Sequence, residues 1–472
     1  MKVDARPLFC PRSASLLECM RIVNEGALGT ALIVDGDGSV LGILTDGDIR
    51  RALLAGGSLK DRADSYANSD FVFGSVNDSP SELMKKVDER VWLLPLLDRN
   101  RRATEVFLWQ SQLHLPVAEP NLRGNEFKYL VDAFMSTWIS SRGTYIDRFE
   151  AEFAQYCECS HGVTTSNGTV AIHLALSALG VGDGDEVIVP DLTFGATINA
   201  VIAAGAKPVI VDVEPKGWGI SAEHVAAAIT ARTKAIIPVH LYGQPCDMDP
   251  IMEIARSRGL YVIEDAAEAH GARYKGRRVG SIGDIGTYSF MANKLITTGE
   301  GGMCVTNSSE LDARMRILRD HGMNRERRYW HETPGFNYRM TNLQAAIGVA
   351  QLERIDETLE RKRRIEDSYR AALAEFEFVG FQPDLECRDR VVWLVCVTFS
   401  DGRRDDYMAA LTAAGLEIRP FFYSLSEMPV FRQYSHSGST SRAVSSIGLN
   451  LPTVKEADDR TVGLLRRILT AS

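Results

Sequence analysis

Gly286–Met303, GTYSFMANKLITTGEGGM, is the stretch whose reading decides the fold. It holds one lysine, Lys294, beyond Ser289 and just ahead of a GEGG run. A lone lysine is most often a solvated surface charge. Here Tyr288, Phe290, Met291, Leu295 and Ile296 flank it, so its amine is expected against low-dielectric walls. Such walls disfavour the ammonium form and suit a lysine that condenses with a carbonyl. Gly299, Gly301 and Gly302 allow the backbone to turn close to a ligand where a side chain would block it.

Upstream, Leu260–Ala272 reads LYVIEDAAEAHGA, an apolar strand that ends in Glu264-Asp265 and small residues. Charges rarely end a buried strand without a partner. An acidic helix cap is one reading. The other is a carboxylate at Asp265 facing a pyridine nitrogen, which keeps the ring protonated as an electron sink. Gly168–Leu179, GTVAIHLALSAL, has helical spacing, and Asn167, Gly168 and Thr169 open it. A helix start holds a phosphate well, and an ordinary capped core helix looks the same. The buried strand Glu186–Pro190 delivers DLTFGATINA, whose Phe194 suits either the core or the face of an aromatic cofactor. Pro208–Val213, Lys234–His240 and Val391–Phe399 read as further strands, and GFNYRMTNLQAA (335–346) runs into a helix with Asn337 and Arg339 between aromatics. Strands alternating with helices define an α/β body.

The 472 residues suffice for two or three cores. A net charge of −9 argues against nucleic acid as the main partner, and no apolar run reaches bilayer length. The N-terminus lacks an apolar export core, and the eight cysteines have no metal-ligand rhythm, so a cytoplasmic protein without a metal site is expected.

Residues 1–115 carry a repeat. TALIVDGDGSVLGILTDGDIRR (30–51) gives strand, turn, strand and helix, and Trp92–Asp98 repeats the first strand and turn 63 positions on. This half resembles a pair of CBS motifs, α+β regulatory modules that often bind adenine nucleotides. GILTDGD carries that family's pattern, with Thr45 and Asp48 at the positions that hold a ligand's phosphate and ribose. The second copy is degenerate, with Glu105, Leu108 and Ser111 at the matching positions. A module that only packs or dimerises has the same outline. Leu113–Asn121, LHLPVAEPN, reads as the junction.

SNGT, DLTFGAT, EDAAEAHGA, SFMANKLITTGEGGM and GFNYRMTN together resemble the DegT/DnrJ/EryC1/StrS sugar aminotransferases over residues 116–472. The resemblance implies a pyridoxal 5'-phosphate (PLP) enzyme of fold type I. Its large α/β domain (116–365), with a mostly parallel sheet, precedes a small C-terminal α+β domain (366–472), and a homodimer shares its active sites. Lys294 matches the lysine that condenses with the cofactor, Asp265 the partner of the pyridine nitrogen, and Phe194 the ring-stacking position. Gly168, Thr169 and Ser289 match phosphate ligands. Asn337 matches an asparagine given across the dimer, and Glu268 a residue near the phenolic oxygen.

The same resemblance implies L-glutamate as donor and a nucleotide-linked 4-keto-6-deoxy sugar as acceptor. It is nearest to the branch that converts GDP-4-keto-6-deoxy-mannose to GDP-perosamine for surface polysaccharide. Arg325, Arg328 and Arg419 are candidates for the diphosphate, with Tyr329 or Trp330 for stacking; a solvated arginine is the plainer reading of each. Two loops depart from that branch: Ser426 replaces a histidine in YSLSEMP, and Arg390-Val391-Val392 replaces His-Thr-Tyr before Trp393. Both loops are expected near the sugar nucleotide, which keeps a UDP- or dTDP-linked substrate open. A catalytically inert nucleotide sensor is the reading from another class.

Overall fold

In the computed structural model, which describes every residue except 1, 27, 80, 81, 84, 88–90, 109–114, 325, 437, 471 and 472, the chain divides into Met1–Leu113 and His114–Ser472. Among the described residues, seven short strands build the first unit: β1 (Lys2–Asp4), β2 (Phe9–Pro11), β3 (Thr30–Val34), β4 (Val40–Thr45), β5 (Gly74–Ser75), β6 (Leu93–Leu97) and β7 (Ala103–Leu108). They form two sheets, ordered β2-β3-β4 and β1-β7-β6-β5. The duplication shows in the registers. Thr30 pairs with Thr45 and Leu93 with Leu108, and each hairpin slips at one place, Ile33/Val34 in β3 and Leu96/Leu97 in β6. All these positions differ by the same offset that the sequence repeat gives. The continuation of the second copy at Ser111, and the start of the junction at Leu113, lie outside the described residues.

The second unit is built on a seven-stranded sheet. Its strands are β8 (His161–Thr165), β9 (Glu186–Pro190), β10 (Lys207–Val211), β11 (Thr233–Ile236) and β12 (Tyr261–Asp265); after the hairpin β13 (Arg273–Tyr274) and β14 (Arg277–Arg278) come β15 (Ile285–Ser289) and β16 (Gly302–Thr306). The order is β10-β9-β11-β12-β15-β16-β8, and only β16 runs against its neighbours. Every residue of β9, β15 and β16 is buried, as a sheet covered on both faces requires. Successive residues pack to opposite sides: Val187 and Ile263 join one apolar cluster, Ile188 and Val262 the other.

Beyond β17 (Val379–Phe381) and β18 (Arg388–Asp389), β19 (Val395–Phe399), β20 (Arg419–Pro420) and β21 (Gly448–Leu451) complete a smaller antiparallel sheet in the order β17-β19-β21-β20. The helix Ile355–Leu373 runs straight through position 365. Two expected strands are shorter than their apolar runs. Lys234–His240 keeps regular pairing only to Ile236, with one isolated bridge from Val239 to Asp265. Val391–Phe399 is a strand only from Val395, because the Val391 N–H turns to the Gly243 carbonyl (3.1 Å) and Trp393 turns to the Asn293 carbonyl (2.7 Å). No helix among the described residues is long and apolar enough to cross a membrane.

Candidate active site

The carboxyl ends of β8, β9, β12 and β15 meet at a cavity of about 530 Å³. Open α/β sheets bind ligands at this edge. Lys294 enters it from the loop between β15 and β16. That loop is pinned from within: the Thr297 hydroxyl donates to the Phe290 carbonyl (2.9 Å), and the Phe290 N–H donates to Gly301 (2.8 Å). Tyr288, Phe290, Leu295 and Ile296 are buried as their apolar character requires, whereas Met291 faces the cavity and is partly exposed. The Lys294 side chain retains 10% of its exposure. Its Nζ stands 3.5 Å from Glu268 Oε1 and 3.9 Å from the centre of the Trp393 ring.

Asp265 ends β12 with its carboxylate in the same cavity. One oxygen accepts the Thr197 hydroxyl (2.8 Å) and the other the Ala267 N–H (3.2 Å). Burial raises its carboxyl above the usual range, and Thr197, Ala267 and Lys294 pull the other way. A carboxyl so placed gains from a cationic partner, which a protonated pyridine nitrogen supplies. Its neighbour Glu264 faces away. That carboxylate accepts three backbone N–H groups, from Gly280, Ile282 and Gly283, at 2.7 Å each, and meets His240 Nε2 at 3.0 Å. His240 Nδ1 accepts the Cys246 N–H, which leaves the ring proton on Nε2 for Glu264. The two adjacent acids thus differ in role. Glu264 fixes the loops, and Asp265 serves the cavity.

The phosphate-sized corner is built by close approach. Asn167 caps the helix Gly168–Ala178, its side chain accepting the Val170 N–H at 3.0 Å. A Cβ on Gly168 would stand 2.7 Å from the Ser289 Cβ, and one on Gly302 would strike the Asn167 carbonyl. Glycine at both places lets the helix start lie directly on β15 and β16. N–H groups of that first turn and the Ser289 hydroxyl face one volume, which suits an oxyanion. Across it Phe194 is 61% exposed although it sits at the sheet edge, and its ring lies 5.7 Å from Phe422. The donor set, the aromatic face, the acid and the amine together fit PLP: helix start and Ser289 for phosphate, Phe194 for the ring, Asp265 for the nitrogen, Lys294 for the aldehyde carbon.

Other residues singled out in the sequence fall elsewhere. Arg419 lines the cavity and is paired with Glu417 at 2.7 Å. Arg325 lies outside the described residues. Arg328 lines a separate cavity of about 540 Å³, with Arg142, Arg316, Arg319 and Arg339. Tyr329 and Trp330 are exposed and carry Arg328 and Arg327 over their rings. Asn337 is exposed and does not line its own chain's cavity. Isolated bridges from Asp320 to Asn337 and from Met323 to His331 fold this segment on itself.

Within the two departing loops, Ser426 and Arg390 are themselves turned inward. Ser426 is buried, donating its N–H (2.7 Å) and hydroxyl (2.8 Å) to Asp191, three residues before Phe194. Arg390 is buried in an ion pair with Glu366 and also meets Asp384 at 2.8 Å. Neither residue lines the cavity. Thr45 and Asp48 in the first unit form a reciprocal cap at the start of the helix Asp46–Leu54, and Arg51 adds a 2.6 Å pair to Asp48.

Two residues that matter here carried no sequence signal of their own. Trp393 reaches Lys294 from a distant strand lead-in. Tyr242 sits fully buried at φ 53°, ψ 22°, a left-handed backbone unusual for a bulky residue. Its N–H donates to Glu268 Oε2 (2.8 Å), its hydroxyl accepts the Phe422 N–H (2.9 Å), and its ring stacks on Trp393 and Phe422.

Fold and site are those of a PLP-dependent aminotransferase. The profile of the DegT/DnrJ/EryC1/StrS aminotransferase family matches residues 120–465, and that of the CBS domain matches residues 3–55. GDP-perosamine synthase of Caulobacter vibrioides is 48% identical over 367 residues, 75% of this chain and 98% of that one. The GDP-perosamine synthase of Escherichia coli O157:H7 is 44% identical over 352 residues, 74% and 96% of the two chains. Among solved structures, DesV of S. venezuelae in complex with a ketimine intermediate superimposes with a TM-score of 0.68 at 36% identity, covering 74% of this chain and 93% of that one. The chain belongs to the DegT/DnrJ/EryC1/StrS aminotransferase family, carries a CBS domain in front of it, and uses PLP.

Proposed function

We propose that the protein transfers an amino group from L-glutamate to C4 of GDP-4-keto-6-deoxy-mannose, giving GDP-perosamine for surface polysaccharide. The observation that carries this reading is the 48% and 44% identity to two GDP-perosamine synthases over nearly their whole length. The inward burial of Ser426 and Arg390 supports it further, since both departures are absorbed by the protein interior. Neither then needs to alter what the cavity accepts.

When bound, the cofactor supplies an aldehyde and a ring that stores an electron pair. Lys294, released as a free amine, moves the proton at the donor's Cα as base and returns it as acid. Asp265, fixed by Thr197 and Ala267, holds a positive charge opposite itself. The start of the helix Gly168–Ala178 and Ser289 anchor the phosphate, and Phe194 and Trp393 narrow the space above and beside the amine. Arg419, which lines the cavity, would meet the nucleotide's diphosphate.

A homodimer completes the site in this reading. The helix Glu126–Met135 and the turn after it expose Phe127 (79%), Phe134 (62%), Met135 (72%) and Trp138 (59%), an apolar face that an identical partner would cover. Asn337, exposed and absent from its own cavity, would then serve the partner's. The domain limits 1–115, 116–365 and 366–472 belong to the same proposal. So does an adenine nucleotide at the front module, where it would have to displace the Thr45–Asp48 cap.

The test is the half-reaction. Enzyme first aminated with glutamate is mixed with GDP-, UDP- and dTDP-linked 4-keto-6-deoxy sugars, and return of the cofactor's original absorbance is followed. Fast return with the GDP sugar alone is expected. Equal or faster return with a UDP or dTDP sugar would move the assignment to that nucleotide.

A further inference from the structure

Glu268 stands where it can exchange a proton with Lys294. Its Oε1 is 3.5 Å from Nζ, and both side chains are almost wholly enclosed. Its other oxygen is held by the Tyr242 N–H at 2.8 Å. That donor is aimed by strained backbone: Tyr242 is left-handed, and the following Gly243, at φ 95°, has no room for a Cβ against the Val391 carbonyl. Strain of this kind persists only where surrounding structure enforces it, and it gathers at working sites. Trp393 also packs against Nζ, its ring centre 3.9 Å away, and Glu268 is the acid in ion-pair reach of the amine among the described residues. The titratable groups facing Glu268 are Lys294, Asp265, Tyr242 and Cys396, with His270 facing Lys294.

We propose that Glu268 is a second catalytic residue, the store for the proton that Lys294 must shed to become a nucleophile and base. In the forward step one N–H bond of the Lys294 ammonium breaks, its electron pair stays on nitrogen, and an O–H bond forms at Glu268 Oε1. The reverse step restores the ammonium. The net charge of the cavity does not change, and that spares a buried site the cost of creating an unpaired charge. Burial raises the Glu268 carboxyl above its usual range, and the Lys294 ammonium beside it pulls the other way. The inference rests on Lys294 being the acting amine.

Glu268→Gln keeps the size of the side chain and its acceptor for Tyr242 but cannot carry the proton. Pulse labelling of the cofactor-free chain with acetic anhydride, read at Lys294 by peptide mass spectrometry, reports the pair without any turnover. Labelling of Lys294 at a fixed neutral pH is expected to rise about tenfold or more in E268Q, because the carboxylate 3.5 Å from Nζ favours the unreactive ammonium. Unchanged labelling overturns the proposal even if transamination is intact. In the loaded enzyme, E268Q is expected to slow the glutamate half-reaction about 10²-fold and to lose the rise of rate with pH that belongs to Glu268. A slowed rate with the rise retained makes Glu268 a spacer only and also overturns it.

Discussion

Gly168→Ala tests how the phosphate corner is made. The added Cβ would stand 2.7 Å from the Ser289 Cβ and 3.2 Å from its Oγ, against an ordinary carbon contact of about 3.5–4.0 Å. About 1 Å must therefore be found. Ser289 cannot yield it, because β15 lies between β12 and β16 with every residue buried. The helix has no slack either, with Ala171, Ile172, Leu174 and Leu176 all packed. Overfilling of this kind costs about 1–3 kcal/mol, and a shift of that size at the anchor of a reacting group costs about 10²-fold in turnover. Thermal melting of the cofactor-free chain should show the first effect, and PLP titration by absorbance, with single-turnover rates, the second.

Gly168→Ala/Ser289→Gly removes the colliding atom. The double variant should regain part of the lost stability, with a coupling of about 0.5–3 kcal/mol, while PLP affinity stays low for want of the hydroxyl. A Gly168→Ala chain that melts and binds PLP like wild type would refute the reasoning, and so would strict additivity of the two changes.

Three further outcomes follow from the same coordinates. Asp265→Asn should retain PLP but lose on the order of 10²-fold or more in the half-reaction, since an amide cannot hold the ring nitrogen's proton; a loss under tenfold would unseat Asp265. Arg390→Met should cost about 3 kcal/mol in urea unfolding by leaving Glu366 buried with weaker partners, yet KM for the sugar nucleotide should stay within a few-fold, because Arg390 does not line the cavity. Lys362 is buried on the helix Ile355–Leu373 with, among the described residues, only the Thr453 carbonyl (2.7 Å) for its ammonium, and burial lowers it to about 7. The unfolded chain then binds the extra proton between pH 7 and about 10.4, so stability rises with pH across that window. Lys362→Met should abolish that rise and be the more stable chain at pH 7, as paired pH-dependent melts will show.

Much of this site was legible in the linear sequence because its parts are local. Lys294, Ser289 and the GEGG turn lie within one segment, and Asp265 ends an apolar run that has to be a strand. Helix starts also declare themselves, as Asn167-Gly168-Thr169 does. What stayed hidden depends on long-range partners. Nothing near Trp393 in the chain says that its indole will bond a carbonyl a hundred residues upstream. The left-handed turn at Tyr242 is imposed by Glu268, Phe422 and Val391 together, so no local rule predicts it. The resemblance sets Ser426 and Arg390 in loops expected near the sugar nucleotide, but it does not say where each side chain turns. Here Asp191 and Glu366 draw them inward, and a sequence does not reveal which buried acid waits for which donor.

The central claim is that Lys294 is the amine that holds PLP. Borohydride reduction of the PLP-loaded chain, followed by peptide mapping, tests it directly. The account predicts one pyridoxyl group per chain, on Lys294, and none in Lys294→Ala. A label on any other lysine, or an unlabelled chain that still transaminates, would contradict it.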